Sequence, residues 1–223
     1  MDNASSPLQR YHHIVFEGPI GVGKTALALR LARWLGAETL LEQPGDNPFL
    51  ERFYDDRAGY AFQTQLFFLF QRLRQVRELA QPGMFAQTVV SDFMFAKDAL
   101  FARMNLSDEE YQLYAQMYAR LAPQLPQPDL VVWLQADPQV LQERIRRRAV
   151  AMEQRITGAY LKTLCDAYAE HFRNYDGAPV FAVDTGQFHP AADDADFALL
   201  VDRLGAFRAR RAFLDPGATS ARG

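Results

Sequence analysis

His13-Ile14-Val15-Phe16-Glu17-Gly18-Pro19-Ile20-Gly21-Val22-Gly23-Lys24-Thr25 is the stretch whose reading decides the fold. His13 to Phe16 is a short apolar run of the kind that fills a buried strand. It runs into Gly18 to Thr25, which has the form G-x-x-x-x-G-K-[ST]. Glycines in such a loop let successive backbone N–H groups turn inward around phosphate oxygens. A helix that starts straight afterwards points its positive end at the same phosphates. Gly18, Gly21, Val22 and Gly23 then form the cradle, Lys24 reaches the β- and γ-phosphates, and the Thr25 hydroxyl is placed for Mg2+. A chance match is the competing explanation, but here the strand before and the helix after are both present.

Working outward, strand-like and helix-like stretches alternate. Leu27, Leu31 and Leu35 recur at four-residue steps and predict a helix over 25–36, with Gly36 as its stop. Strands are predicted at 39–41, 88–91, 129–134 and 180–183, besides the first. Helices are predicted at 49–54, 60–79, 95–104, 107–121, 138–152, 158–172 and 192–207, with Ser107 and Glu110 as a capping box. Strands separated by helices pair in parallel through right-handed crossovers. The expected fold is α/β with three layers, a five-stranded parallel sheet flanked by helices, as one domain over 11–208. Residues 1–10 read as a loose arm and 209–223 as a flexible terminus, since Asp215 to Gly223 has no apolar periodicity.

Composition bounds the partners. The net charge of −3 over 223 residues provides no overall basic field for nucleic acid or an anionic membrane. The single cysteine, Cys165, allows no intrachain disulfide and fits a reducing cytosol. Residues 1–13 lack the apolar core of a secretory leader. No apolar run approaches the ~18–20 residues of a membrane span. A soluble, cytoplasmic protein is expected, with no nucleic-acid or membrane partner.

The loop says nucleotide but not what becomes of the phosphate. In such sheets ligands sit at the carboxyl edge, so the other strand ends carry that information. Glu42 follows Leu40-Leu41 and precedes Gln43-Pro44, beside the loop. A carboxylate there could take the proton of an acceptor hydroxyl. It could equally be a solvated residue that ends a strand.

Leu41-Glu42-Gln43-Pro44, Asn47-Pro48-Phe49-Leu50, Tyr54 and Ala61-Phe62-Gln63-Thr64-Gln65 together resemble the deoxynucleoside kinase family, and more narrowly its bacterial deoxyadenosine/deoxyguanosine kinase branch. The resemblance runs from about Tyr11 to Asp184. It implies ATP and a deoxynucleoside as substrates, with the branch pointing to a purine deoxynucleoside, and Glu42 as the base for the sugar 5′-hydroxyl. It also implies that Gln63 hydrogen-bonds the nucleobase, that Tyr54 meets the sugar 3′-hydroxyl, and that Phe62 and Phe101 wall the base. By residue type alone, Gln63 could be a helix-surface amide and the aromatic residues simple core. Family members are commonly homodimers, which the Phe-rich helix around Phe67, Phe68 and Phe70 would suit.

Two segments depart from the family pattern. An acid followed by Arg-Ser is usual after the third strand, whereas this chain has Ser91-Asp92-Phe93. Asp92 can still serve Mg2+, but the arginine that steadies the catalytic Glu is missing, and Lys97 is the nearest cation. An ungapped register also puts Lys97 and Phe70 where some members have a base-reading Asp and an Arg, so Lys97 joins the candidate nucleoside-binding set. Arg144, Arg146, Arg147, Arg148 and Arg155 form a basic cluster that could be a solvated helix face or a nucleic-acid patch. Arg144, Arg148 and Glu153 resemble instead the family's Arg-rich lid, which would place Arg144 and Arg148 on the triphosphate, with Arg148 catalytic, and Glu153 on the sugar. Ala149 and Val150 replace the lid's Gly and second Arg, and Arg147 is a neighbour that could compensate. Asp184 to Phe188 resembles the loop that holds the donor's adenine. A thymidylate-like nucleoside monophosphate kinase is the alternative, but it needs cations near strand two for the acceptor phosphate, and no Arg precedes Glu42. A nucleotide-dependent switch is less compatible with the Phe/Gln-rich helix and the lid.

Overall fold

The computed structural model describes residues 6–79, 88–122 and 125–214. Strand β1 (His13–Glu17) is buried at every position and leads through the glycine loop into α1 (Lys24–Leu35). There follow β2 (Glu38–Leu40), α2 (Leu50–Asp55), the long α3 (Arg57–Leu79), β3 (Val89–Ser91), α4 (Lys97–Asn105) and α5 (Asp108–Leu121). The second half contains β4 (Leu130–Gln135), α6 (Pro138–Arg148), α7 (Gly158–Asn174), β5 (Val180–Asp184), α8 (Asp194–Ala206) and β6 (Arg211–Leu214). Ser107 and Glu110 make both bonds of the capping box at the start of α5, as their spacing requires.

The sheet order is β2-β3-β1-β4-β5-β6, and every pairing is parallel. β1 lies between β3 and β4, so the chain leaves it toward opposite sides of the sheet. That reversal opens a crevice at the carboxyl end of β1, where the glycine loop sits. The inner strands β1, β3, β4 and β5 are nearly continuous apolar runs because helices cover both faces, which leaves no solvated face to alternate toward, whereas the edge strands β2 and β6 are largely exposed. One apolar cluster joins β1, β4 and β5 to α1, α7 and α8. A second lies beneath α2, α3 and α5 and includes Phe53, Leu69 and Tyr114.

The sheet has six strands, where the sequence predicts five. β6 lies within the expected flexible terminus: Arg211 to Leu214 pair with Val180 to Val183 at the sheet edge. Four residues of mixed character leave little periodic signal, and the strand exists because β5 offers an open edge. The Arg211 guanidinium fastens it by donating to the Phe172 and Tyr175 carbonyls at the end of α7. The expected loose arm is also folded over Pro7–Arg10, a 3-10 turn capped by Ser6. Leu8 is fully buried, and Arg10 donates to the Phe207 carbonyl at 2.7 Å and to Gly205 O at 3.2 Å, closing the C-terminus of α8. These contacts reach almost the whole length of the chain and are invisible to local pattern. Residues 1–5 and 215–223 lie outside the described residues.

α6 stops at Arg148 rather than continuing to 152. Ala149 takes the left-handed conformation, with φ of 56°, and the chain resumes as a 3-10 turn at Ala151–Arg155.

Candidate active site

The glycine loop is shaped by close backbone approach. A Cβ on Gly18 would lie 2.3 Å from the Leu134 carbonyl oxygen, and one on Gly21 would lie 2.9 Å from the Ile145 side chain. Both glycines also have positive φ, so larger residues would strain and displace the cradle. Inside it, Lys24 Nζ donates to Gly18 O at 2.7 Å and Pro19 O at 3.0 Å. Burial, followed by the nearby Lys97 ammonium, brings Lys24 down to about 8. At the loop's root, buried Glu17 accepts from Gly18 N, Met94 N and the Tyr168 hydroxyl. One carboxylate thereby ties the start of the loop to the segment after β3.

Asp92, just beyond β3, joins the loop to Glu42. Its Oδ2 accepts the Thr25 hydroxyl, and its Oδ1 accepts Glu42 N at 2.7 Å. α3 holds the other side of the same segment: Gln75 donates to Leu41 O at 2.9 Å and Gln71 to Gln43 O at 3.1 Å. Glu42 is therefore clamped by its backbone on both flanks. Its carboxylate meets two cations. Lys97 Nζ lies 2.9 Å from Oε2, and Arg72 donates to Oε1 through Nε at 3.0 Å and again through NH2. Burial alone would push the Glu42 carboxyl up, but the Lys97 ammonium and the Arg72 guanidinium hold it well below the usual carboxylate range.

These groups border a cavity of about 630 Å³. The glycine loop and Thr25 close one end, Glu42, Lys97 and Arg72 line a wall, and Tyr54, Phe68 and Phe101 supply apolar and aromatic surface. Arg144, Arg148 and Glu153 line it as well. The structure thus gathers Lys24, Thr25, Glu42, Tyr54, Asp92, Lys97, Phe101, Arg144, Arg148 and Glu153 around one space.

Gln63 and Phe62 are corrections. Gln63 is exposed, donates to Gly59 O at 3.2 Å and borders an outer groove with Phe67 and Phe70. Phe62 packs beside the second apolar cluster. The face of α3 turned to the cavity carries Ala61, Thr64, Gln65, Phe68 and Arg72, spaced by three and four residues as one helical stripe. Gln65 is buried and donates to Asp98 Oδ1 at 2.7 Å and to Asp98 O at 3.0 Å. Asp98 also accepts the Tyr114 hydroxyl at 2.8 Å and forms an ion pair with Arg72. Burial raises the Asp98 carboxyl to about 6 against the opposing pull of Arg72. An Asp–Arg pair is therefore present, but at Asp98 and Arg72 rather than at Lys97 and Phe70. Phe70 is 53% exposed. A motif aligned without regard to helix phase falls two residues early on α3; the stripe Ala61, Gln65, Phe68, Arg72 was the available signal.

In the Arg-rich segment, Arg148 pairs with Glu153 across the turn after α6. Arg144 donates to Thr185 Oγ1 at 3.0 Å and to Thr185 O. Arg147 borders a second cavity, of about 520 Å³, formed with Val22, Thr185, Phe188 and His189. It does not line the first, where Val150 stands. The two cavities adjoin at Gly21, Gly23 and Arg144, so the phosphate loop lies between them.

Ala149 carries a cost at this corner. Its amide reaches Ile145 O and Arg146 O, a closing turn that favours glycine. Ala149→Gly is expected to stabilise the protein by about 1 kcal/mol, raising Tm by roughly 2–4 °C, which a thermal melt would show.

Among the described residues no three His, Cys, Asp or Glu side chains cluster as a metal cage. The Thr25 hydroxyl and the Asp92 carboxylate nevertheless offer hard oxygen donors beside the phosphate cradle. Such a pair fits a divalent cation held mainly by phosphate and water. No described helix is long and apolar enough to cross a membrane.

Known proteins resemble this chain over most of its length. The deoxynucleoside kinase family model matches residues 14–204. The deoxyguanosine kinase of Bacillus subtilis (strain 168) is 34% identical over 156 residues, covering 70% of this chain and 75% of the relative. A deoxyadenosine kinase of Dictyostelium discoideum is 33% identical over 180 residues, covering 79% and 73%. A structure of deoxyadenosine kinase from M. mycoides superimposes with a TM-score of 0.74 at 24% identity, covering 87% of this chain and 100% of that one, and shows the shared fold. With the match running from β1 into α8, the chain belongs to the deoxynucleoside kinase family and is an ATP-dependent phosphotransferase.

Proposed function

We propose that the protein transfers the γ-phosphate of ATP to the 5′-hydroxyl of a purine deoxynucleoside, deoxyadenosine or deoxyguanosine, in cytosolic nucleotide salvage. The observation that carries this is Glu42: a carboxylate paired with Arg72 and Lys97 in the wall of the cavity, joined through Asp92 to the Thr25 of the phosphate loop. A purine acceptor is supported by the two relatives named for deoxyguanosine and deoxyadenosine.

ATP would lie with its adenine in the second cavity and its phosphates in the loop. Lys24, Arg144 and Arg148 would offset the charge that spreads over the transferred phosphoryl. Mg2+ would be held by Thr25, with Asp92 behind it, and would neutralise the phosphate oxygens. Glu42 would accept the proton of the 5′-hydroxyl. Tyr54 and Glu153 would meet the 3′-hydroxyl, Phe101 would flank the base, and Gln65, whose amide nitrogen is held by Asp98, would read the base edge through its Oε1. Arg72 and Lys97 do not favour a monophosphate kinase, because both are engaged by Glu42 and Asp98 rather than left for an acceptor phosphate. A homodimer is proposed as the working form, with the outer α3 groove around Phe70 as one surface that pairing would cover.

A panel of deoxynucleosides, ribonucleosides and thymidine monophosphate, each assayed with ATP and Mg2+, tests the reading. Turnover of deoxyadenosine or deoxyguanosine is expected; activity on the monophosphate alone would defeat it. Within that panel Gln65→Ala should raise the deoxynucleoside KM by about tenfold, the order of one lost hydrogen bond to a buried base. Gln63→Ala, on the outer face, should leave KM unchanged.

A further inference from the structure

Resting on the kinase reading above, we propose that Lys97 is a positioning residue for Glu42, an ammonium supplied from the start of α4 that holds the proton-accepting carboxylate in its productive orientation.

The placement of Lys97 is unusual on three counts. It is 5% exposed, a degree of burial that lysine reaches only when paired. It is the first residue of α4, where the helix dipole disfavours a cation, so helix stability does not account for it. Its ammonium also stands 5.4 Å from the centroid of the Phe101 ring, which fixes the stem against a cavity wall. The interaction that offsets these costs is the 2.9 Å contact with Glu42 Oε2.

Charge counting shows why Arg72 does not suffice. The Arg72 guanidinium is shared between Glu42 and Asp98, so one cation faces two carboxylates. Lys97 brings the four-membered cluster to neutrality. The segment after β3 supplies no other cation, since Phe93 and Met94 are apolar and buried. Around Glu42 the remaining ionisable neighbours are Lys24 of α1, Tyr54 of α2, Asp92, and Tyr168 of α7, whose hydroxyl is taken by Glu17. Lys24 is engaged by the loop carbonyls, and Asp92 holds the Glu42 backbone, not its side chain. With Lys97 gripping Oε2, Arg72 can turn toward Asp98 and the nucleobase, leaving Oε1 to the sugar hydroxyl without releasing the carboxylate. Without Lys97, that same movement would leave Glu42 buried and unpaired, a state that favours rotation or protonation.

Lys97→Ala tests this by steady-state kinetics, using ATP, Mg2+ and the best deoxynucleoside of the panel. The expected result is a fall in kcat of about 10²-fold, the scale of a misplaced catalytic group, with both KM values within threefold of the wild type. Ethylammonium chloride should restore kcat saturably, whereas equal ethanol or sodium chloride should not. Lys97→Arg should recover part of the rate, and Lys97→Met, which keeps the stem but not the charge, should lose kcat to the same extent and serves as the test if the alanine variant fails to fold. Unchanged kcat, or a raised nucleoside KM at unchanged kcat, would overturn the assignment; the latter would make Lys97 a substrate contact. A folded but impaired Lys97→Ala variant that ethylammonium cannot improve, with Lys97→Arg equally impaired, would overturn it too. Wild-type protein run alongside separates the two readings, since a wild type inactive on every deoxynucleoside defeats the kinase reading instead.

Discussion

Glu42→Gln is expected to lower kcat by about 10²–10⁴-fold, the usual contribution of a positioned general base, while deoxynucleoside binding persists. The substitution preserves the shape of the side chain and leaves the backbone clamp from Asp92, Gln71 and Gln75 intact. It removes the acceptor for the hydroxyl proton and presents an amide N–H2 to one of two cationic donors, Arg72 or Lys97. Binding is therefore expected to weaken modestly and turnover severely. Single-turnover rates together with calorimetric titration of deoxyadenosine would separate the two. If kcat stayed within a few-fold of normal, another group would have to take the proton, and Asp92 would be the next carboxylate to examine.

Lys24→Ala is expected to lower kcat by about 10²–10³-fold, the scale of removing one preorganised donor from a developing charge, and to raise the ATP KM in parallel. Lys24 differs from Glu42 in this respect because the β- and γ-phosphates carry charge before the reaction as well as during it, so ground-state binding and rate fall together. Two of the neighbours that set its charge, Lys97 and Glu42, belong to the acceptor side. Nucleotide titration by fluorescence alongside kinetics would check the parallel loss. Weakened ATP binding with full kcat would show that Lys24 only holds the donor.

The five predicted strands and the helices between them were legible because each is a local pattern: apolar runs closed by glycine, leucines at four-residue steps, a capping box at Ser107. The phosphate loop was legible for the same reason, as its geometry requires glycines and a lysine at fixed spacing. Glu42, Arg144, Arg148 and Glu153 were candidates through their resemblance to family motifs, and Asp92 as the acid of a segment that departs from them; the structure gathers all five around one cavity.

What failed depended on phase or on distant partners. Gln63 and Gln65 lie two residues apart in one helix, and only the packing of α3 on the post-β2 loop decides that Gln65 faces inward. The same rotation brings Arg72 to Glu42 and Asp98 and sends Phe70 to the surface. β6 and the turn at Pro7–Arg10 owe their order to an open sheet edge and to the end of α8.

By itself the sequence determined a parallel α/β sheet, a phosphate-binding loop at the end of β1 and a carboxylate at the end of β2, because backbone geometry and strand order impose those positions locally. Only the tertiary structure decided which side chains share the cavity with them. It paired Lys97 and Arg72 with Glu42 because a buried carboxylate must be neutralised by whichever cations the packing of α3 and α4 brings within reach.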